Sequence, residues 1–166
     1  MTRIIPLAAP LASAGRAVCA GSVAGLLLLG SFGAVLAGEV NEVGGLALKG
    51  YDPVAYVDEH RPVQGSGTLT AEYQGATYRF ASAAHRDQFQ ADPAAYVPQY
   101  GGFCAYATAK GYKADADPTA FSIVSGKLYL NYNADVQAEW SKDIPGYIAN
   151  GDRNWPTVSN ITDVVR

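Results

Sequence analysis

Cysteine and histidine are scarce in this sequence, with only two of each among 166 residues. Cys19 lies in an apolar N-terminal segment that we expect to be removed, so Cys104 would be the one cysteine of the mature chain. A single thiol cannot form an internal disulfide, and the domain must therefore depend on its core for stability. A leftover thiol in an oxidising compartment is expected to be reactive, to pair between molecules or to bind a metal.

Positive charge is also low. The chain has 12 Lys and Arg against 15 Asp and Glu, which gives a net charge of −3 at pH 7. Removal of the N-terminal segment with Arg3 and Arg16 would make the mature chain more acidic. Neither nucleic acid nor an anionic membrane surface attracts such a chain, so we expect neither as a partner.

The motifs of several enzyme classes are missing. The sequence has no glycine-rich phosphate loop, and Ser82-Ala83-Ala84-His85 is not a nucleophile elbow. Capping of turns and helices accounts for several carboxylates, namely Asp115, Asp117, Asp143 and Asp152. Cys104 and His85 could form a nucleophile and its base, but no third group is placed to orient them. We therefore predict that the protein is not an enzyme and keep a thiol enzyme as the less favoured alternative.

The first 37 residues have the pattern of a secretory signal peptide. Arg3 and Arg16 are their only charges, and Ala17 to Leu36 is almost wholly small or apolar. Small-residue character before the end of the segment predicts cleavage after Ala37. We therefore expect a periplasmic or secreted protein that does not associate with the membrane after cleavage. The alternative is an uncleaved anchor, because about 20 apolar residues can span a bilayer.

The remainder of the chain is expected to form one domain. We assign residues 38–45 to a linker, residues 46–156 to the domain and residues 157–166 to a C-terminal tail. The domain starts with Leu46 to Val57, whose turn at Gly50 to Pro53 separates a short strand from a second strand or a helical turn. The stretch from Tyr100 to Lys113 has small residues at alternate positions and fits either a strand or a helix.

Two segments of the domain resemble each other. Adding 51 to each residue number aligns Gly67 to Val97 with Pro118 to Ile148 without a gap, and matches Tyr78 with Tyr129. Each segment has two β-rich runs around a turn with glycine, which predicts a hairpin. A capping residue and a helix follow, with Ser82 and Asn133 as the caps. We predict a small single α+β domain built from two diverged hairpin–helix units, with the Cys104 segment as the hinge between them.

His85 is the histidine of greatest interest. It is the third residue after its predicted cap and shares a helix face with Phe89. The positive end of the helix favours a neutral imidazole, which is the form that binds metals. A buried histidine bonded to a carbonyl is the alternative. His60 lies in a charged loop beside Pro62 and is expected to be plain surface.

Cys104 follows Gly101-Gly102 and is flanked by the aromatic residues Phe103 and Tyr106. It could be an inert small hydrophobic residue of the core. It could also pair with His85 as a metal ligand, which would suit copper or zinc. Two protein ligands are too few for a closed zinc site, so a third would come from an oxygen ligand such as Asp52, a tyrosine, solvent or a second chain.

Several stretches of the chain resemble the YHS domain family. They are Tyr51-Asp52-Pro53-Val54-Ala55-Tyr56, Gly75 to Ser82 with His85 and Phe89, and Asp92-Pro93-Ala94-Ala95-Tyr96. The chain is more closely similar to exported, stand-alone bacterial members, with which it shares Tyr100 to Ala105 and Leu128 to Asn133. The resemblance covers Leu46 to Pro156. It implies a small α+β domain that binds a heavy metal.

The chain departs from the metal-type members of that family at their thiolate ligands. It has Ala55 where they have a cysteine after Asp-Pro-Val, and Ala81 and His85 where they have a pair of cysteines. Only His85 stands at a ligand position, and Cys104 lies outside the short motif. We expect an exported domain for metal handling that binds a transition metal through His85, Cys104 and Asp52, with copper favoured over zinc and a protein partner in the periplasm. The alternative is a metal-free module for interaction or small-ligand binding, with Cys104 and His85 in its core.

Overall fold

The computed structural model describes residues 40–166. The predicted signal peptide and the first residues of the predicted linker lie outside this range. Helices and strands alternate along the described chain, so the predicted α+β class is confirmed. Within residues 40–166, none of the helices has both the length and the apolar character needed to span a lipid bilayer.

The first half of the domain is built on a four-stranded sheet. The strands are β1 (Glu42–Val43), β2 (Leu46–Ala47), β3 (Ser66–Tyr73) and β4 (Ala76–Phe80), in the spatial order β1-β2-β4-β3. β2 and β4 are parallel, and the other pairs are antiparallel. The helices are α1 (Pro53–Asp58), α2 (Ala83–Ala91) and α3 (Pro93–Tyr96). The end of the predicted linker is therefore part of the sheet, because β1 lies within residues 38–45.

The second half has a hairpin and a longer helical layer. A 3₁₀ turn at Gln99–Gly102 leads into α4 (Ala105–Ala109), so a helix occupies the stretch whose conformation the sequence left open. β5 (Asp117–Val124) and β6 (Lys127–Asn131) form the hairpin. α5 (Ala134–Trp140), a 3₁₀ turn at Ser141–Asp143 and α6 (Ile144–Val158) follow.

The C-terminal residues are attached to the domain where we expected a tail. α6 extends into residues 157–166, and Val165 forms a bridge with Ala114. The N–H of Asp115 donates to the carbonyl of Val165 at 2.8 Å, and the N–H of Val165 donates to the carbonyl of Lys113 at 3.0 Å. The predicted boundary at residue 157 therefore does not separate the domain from a loose tail.

The two hairpin–helix units correspond closely. β3 and β5 both begin and end 51 residues apart, and each is irregular at the same place, between Ser66 and Thr70 and between Asp117 and Phe121. The correspondence continues into the caps, because Ser82 accepts the N–H of His85 and Asn133 accepts the N–H of Val136. A shared origin of the two halves stays a prediction.

The core is aromatic. In the first half, the ring of Phe89 packs on Tyr78 at 4.9 Å and on Phe80 at 5.1 Å between centroids. In the second half, Trp140 packs on Tyr129 at 5.5 Å. Burial of each such side chain contributes roughly 1.5–3 kcal/mol to the free energy of folding. A core of this kind can stabilise residues 40–166, which contain a single cysteine and therefore no internal disulfide.

Candidate functional site

The site forms where the N-terminus of α1 meets the start of α2. Asp52 caps α1, which Pro53 begins, and its side chain is fully buried. Its Oδ1 accepts the N–H of Val54 at 2.9 Å and the N–H of Ala55 at 3.4 Å, and its Oδ2 accepts the N–H of Ala81 at 2.8 Å. These donors replace the water that a carboxylate loses on burial. They also tie α1 to the end of β4.

His85 lies directly against this carboxylate. Its Nδ1 is 2.6 Å from Oδ2 of Asp52. Because the carboxylate oxygen accepts, Nδ1 carries the hydrogen and donates it. The ring is therefore held in one orientation, with its second nitrogen turned away from Asp52. The His85 side chain is 16% exposed, so this second nitrogen lies near the surface.

The residue beside the second nitrogen is Glu59. Its Oε1 lies 3.3 Å from Nε2 of His85, and its Oε2 lies 2.5 Å from Nη2 of Arg61. Glu59 directly follows α1, in the charged loop that also contains His60. His60, in the same loop, is exposed, as expected. Sequence reasoning missed Glu59 because only the packing of α1 against α2 brings it to His85.

The arrangement leaves two acceptors facing each other. With its hydrogen on Nδ1, His85 presents the lone pair of Nε2 to Oε1 of Glu59, 3.3 Å away. Two acceptor atoms at this distance repel each other unless a cation lies between them. A second proton on the ring can fill that role. A metal ion can also fill it, since two ligands about 2.0–2.1 Å from one ion lie about 3.3 Å apart at a tetrahedral angle. The geometry therefore accepts either a proton or a metal.

Cys104 lies in another part of the domain. It caps α4, and its Sγ accepts the N–H of Ala107 at 3.5 Å. It is 1% exposed and packs in an apolar cluster with Ala107 and Ala114, against which Tyr106 and Val136 pack. Burial raises the pKa of the thiol, and the backbone hydrogen bonds that it accepts offset this only in part. A thiol in such a place is a poor nucleophile and a poor ligand.

The structure thus brings together two of the three expected ligands. Asp52 and His85 are in direct contact, whereas none of the hydrogen bonds of Cys104 in residues 40–166 involves either of them. Asp52 is also not free to serve as a ligand, because its two oxygens accept three N–H groups besides His85. In the described part of the chain, no group of three or more His, Cys, Asp or Glu residues is arranged to hold a metal ion.

Comparisons with models of protein families, with curated proteins and with solved structures found no match. The resemblance to the YHS family therefore stays a prediction.

Proposed function

We propose that this protein is an exported domain that binds a transition-metal ion through Nε2 of His85 and the carboxylate of Glu59, with Asp52 as the residue that orients the ring. The observation that carries the proposal is the 2.6 Å hydrogen bond between His85 and the buried Asp52, which leaves Nε2 beside a carboxylate. Histidines that bind metals commonly donate their other N–H to a carboxylate, which fixes the tautomer. Cys104 is not a ligand in this proposal, and Asp52 orients the His85 ring where the sequence predicted that it would bind the metal.

Copper is the metal that we favour, in its divalent form. A nitrogen and an oxygen ligand bind Cu²⁺ more tightly than Zn²⁺, and no thiolate is present to select Cu⁺. Two protein ligands leave other coordination positions to water or to a residue of a partner. Such an open site suits the uptake and transfer of an ion in the periplasm better than permanent storage. The proposal involves no catalysis.

The proposal is tested by titration of the purified protein with Cu²⁺ and with Zn²⁺. Electron paramagnetic resonance of the copper-loaded protein reports whether one imidazole nitrogen is bound. We expect His85→Ala to abolish stoichiometric binding and Glu59→Gln to weaken it by about tenfold. His60→Ala is the matched control for the loss of a histidine, and it should bind as the parent protein does.

A Cys104→Ser variant separates this ligand set from the one expected from sequence. We expect the variant to bind copper with unchanged affinity, because its thiol is buried away from His85. Loss of copper binding in Cys104→Ser would show that Cys104 is a ligand after all and would contradict the proposed ligand set. Equal binding by the parent protein and His85→Ala would refute the proposal, as would the absence of stoichiometric binding in the parent.

A metal-free module for interaction or ligand binding is the second candidate. The observation in its favour is that Cys104 is a buried cap inside an apolar cluster, as expected of a core residue. In this case Nδ1 of His85 donates to Asp52 and Nε2 donates to Glu59, and the three residues serve to join α1 to α2. The copper titration decides between the two candidates.

A further inference from the structure

A cavity of about 260 Å³ is separate from the candidate site, because neither Asp52, Glu59, His85 nor Cys104 is among the described residues that line it. It opens between the turn that joins β3 to β4, residues 97–101 and α6. Aromatic and polar side chains make up most of its lining. Those that matter here are Tyr78, Tyr100, Trp155, Gln74, Gln99 and Asp152.

The backbone of Tyr100 is strained. Its backbone has φ 54° and ψ 37°, the left-handed region that side chains other than glycine seldom adopt. Strain of this kind costs roughly 1–3 kcal/mol and persists where the surrounding structure enforces it, often at binding sites. The ring lies 5.8 Å from that of Trp155, and the two form an aromatic wall of the cavity.

The hydroxyl of Tyr100 fixes the carboxylate of the cavity. It lies 2.9 Å from Oδ1 of Asp152 and 3.2 Å from the carbonyl of Ile148. Gly151 makes this approach possible, because a Cβ at that position would lie 2.6 Å from the Tyr100 hydroxyl oxygen. Asp152 is thus oriented, while it remains exposed and forms no ion pair with any of residues 40–166.

Tyr78 brings an unused hydroxyl to the same cavity. The residue is 1% exposed, and its ring packs on Phe89 in the core. Among residues 40–166 its hydroxyl forms no hydrogen bond, and because the residue lines the cavity it is free to pair with a group there. A ligand in the cavity would supply that partner.

The charge of the lining identifies the kind of ligand. Among the described residues that line the cavity there is one carboxylate and no lysine, arginine or histidine. Aromatic faces attract cations, most strongly where water is partly excluded. The oxygens of Gln74, Gln99 and the Tyr78 hydroxyl are acceptors for the N–H groups of an ammonium ion. We propose that this cavity binds a small primary amine, whose ammonium group interacts with Asp152 and the faces of Tyr100 and Trp155.

The test is titration of the purified protein with n-butylamine, with binding measured by the change in Trp fluorescence and by isothermal titration calorimetry. n-Butanol has the same shape and no charge, and we expect it to bind at least about tenfold more weakly. Asp152→Asn should weaken the binding of the amine by about tenfold, and Tyr78→Phe by about threefold. Asp87→Asn is the matched control, because Asp87 is an exposed carboxylate outside the cavity that forms an ion pair with its neighbour Arg86.

Near-ultraviolet circular dichroism of each variant checks that the fold is retained. Equal binding of butylamine and butanol would overturn the proposal, and so would equal binding of butylamine by Asp152→Asn and the parent protein. Absence of butylamine binding would overturn it as well. His85→Ala should leave butylamine binding unchanged, so the outcome does not depend on whether the protein binds a metal.

Discussion

Asp52 and Cys104 occupy corresponding positions in the two halves of the domain. Each caps a short helix, α1 or α4, and its side chain accepts an N–H from the first turn of that helix. Each also forms a hydrogen bond with the backbone just after a hairpin, at Ala81 for Asp52 and at Tyr132 for Cys104. The same local frame therefore surrounds a carboxylate in one half and a thiol in the other.

The residues that pack against these two caps also differ in polarity. Asp52 meets His85, the third residue after the cap of α2, whereas Cys104 packs with Val136, the third residue after the cap of α5. One half thus has a polar pair and the other an apolar pair in equivalent places. This difference is unfavourable for a shared metal site of His85 and Cys104, because each of the two residues packs with a partner in its own half of the domain.

We expect Asp52→Asn to destabilise the fold. The amide keeps the size of the side chain, but one of its two ends becomes a donor that faces N–H groups of the backbone or of His85. Loss of charge-assisted hydrogen bonds in a buried place should lower the free energy of unfolding by about 2–4 kcal/mol. Urea denaturation measures this value. Asp87→Asn should change it by less than about 0.5 kcal/mol, and an equally small change for Asp52→Asn would contradict the role of Asp52 in joining α1 to α2.

The thiol of Cys104 should react slowly in the folded protein. Burial raises its pKa, so at a given pH less of it is thiolate than in the unfolded chain, and reagents also lack access. Iodoacetamide should alkylate the native protein at least about 100-fold more slowly than the protein in urea at the same pH. The measurement is the alkylation rate as a function of pH. Fast alkylation with a lowered pKa would support the thiol enzyme that we consider less favoured.

The same shift has a consequence for stability. Burial gives the Cys104 thiol a higher pKa in the folded state than in the unfolded chain, where it is about 8.5. The contribution of the thiol to the free energy of unfolding is therefore fully present below the unfolded-state pKa. It decreases as pH rises through the folded-state pKa. Cys104→Ala should therefore weaken the loss of unfolding free energy at alkaline pH. A steeper alkaline loss in the variant would contradict this direction.

Local signals predicted much of the fold. The alternating runs around Gly75 and Gly126 predicted both hairpins, and Ser82 and Asn133 marked the starts of α2 and α5. These features depend on residues close together in the chain, which is why sequence reasoning finds them. The attachment of β1 and of Val165 was not predicted, because both depend on hydrogen bonds to distant backbone.

The candidate site was predicted only in part. Sequence reasoning named Asp52 and His85, which are in contact, but gave Cys104 as their companion because it was the one remaining thiol. The correspondence of Asp52 with Cys104 was hidden, since these residues are 52 apart whereas the hairpins are 51 apart. Glu59 was missed because a surface carboxylate has no local signal for its distant neighbour.

Gly65 and Gly67 should respond very differently to replacement by alanine. A Cβ at Gly65 would clash with the carbonyl carbon of Arg79 and would lie 2.6 Å from the backbone nitrogen of Phe80. Backbone atoms in a strand cannot move aside, so Gly65→Ala should lower the unfolding free energy by more than about 3 kcal/mol. A Cβ at Gly67 would meet only the end of the Arg79 side chain, at 3.8 Å. Gly67→Ala should cost nothing or stabilise by up to about 1 kcal/mol, because alanine loses less backbone entropy. Equal effects in urea denaturation would show that the backbone at Gly65, just before β3, does not lie as close to β4 as described.

The equivalence of the two caps can be tested by rebuilding the polar pair in the second half. Cys104→Asp alone places a carboxylate in an apolar cluster and should lower the unfolding free energy by about 3–5 kcal/mol. Val136→His alone should also destabilise the fold, because it buries a polar ring without a partner.

In the double variant the new ring can donate to the new carboxylate as His85 does to Asp52. The destabilisation of the double variant should therefore be smaller than the sum of the two single effects by at least about 1 kcal/mol. A double-mutant cycle measured by urea denaturation gives this coupling energy. Additive effects would mean that Val136 does not stand opposite Cys104 in the way that His85 stands opposite Asp52. Coupling, in contrast, would show that position 136 stands opposite position 104 as His85 stands opposite Asp52, so that the same backbone arrangement accepts a polar pair in either half.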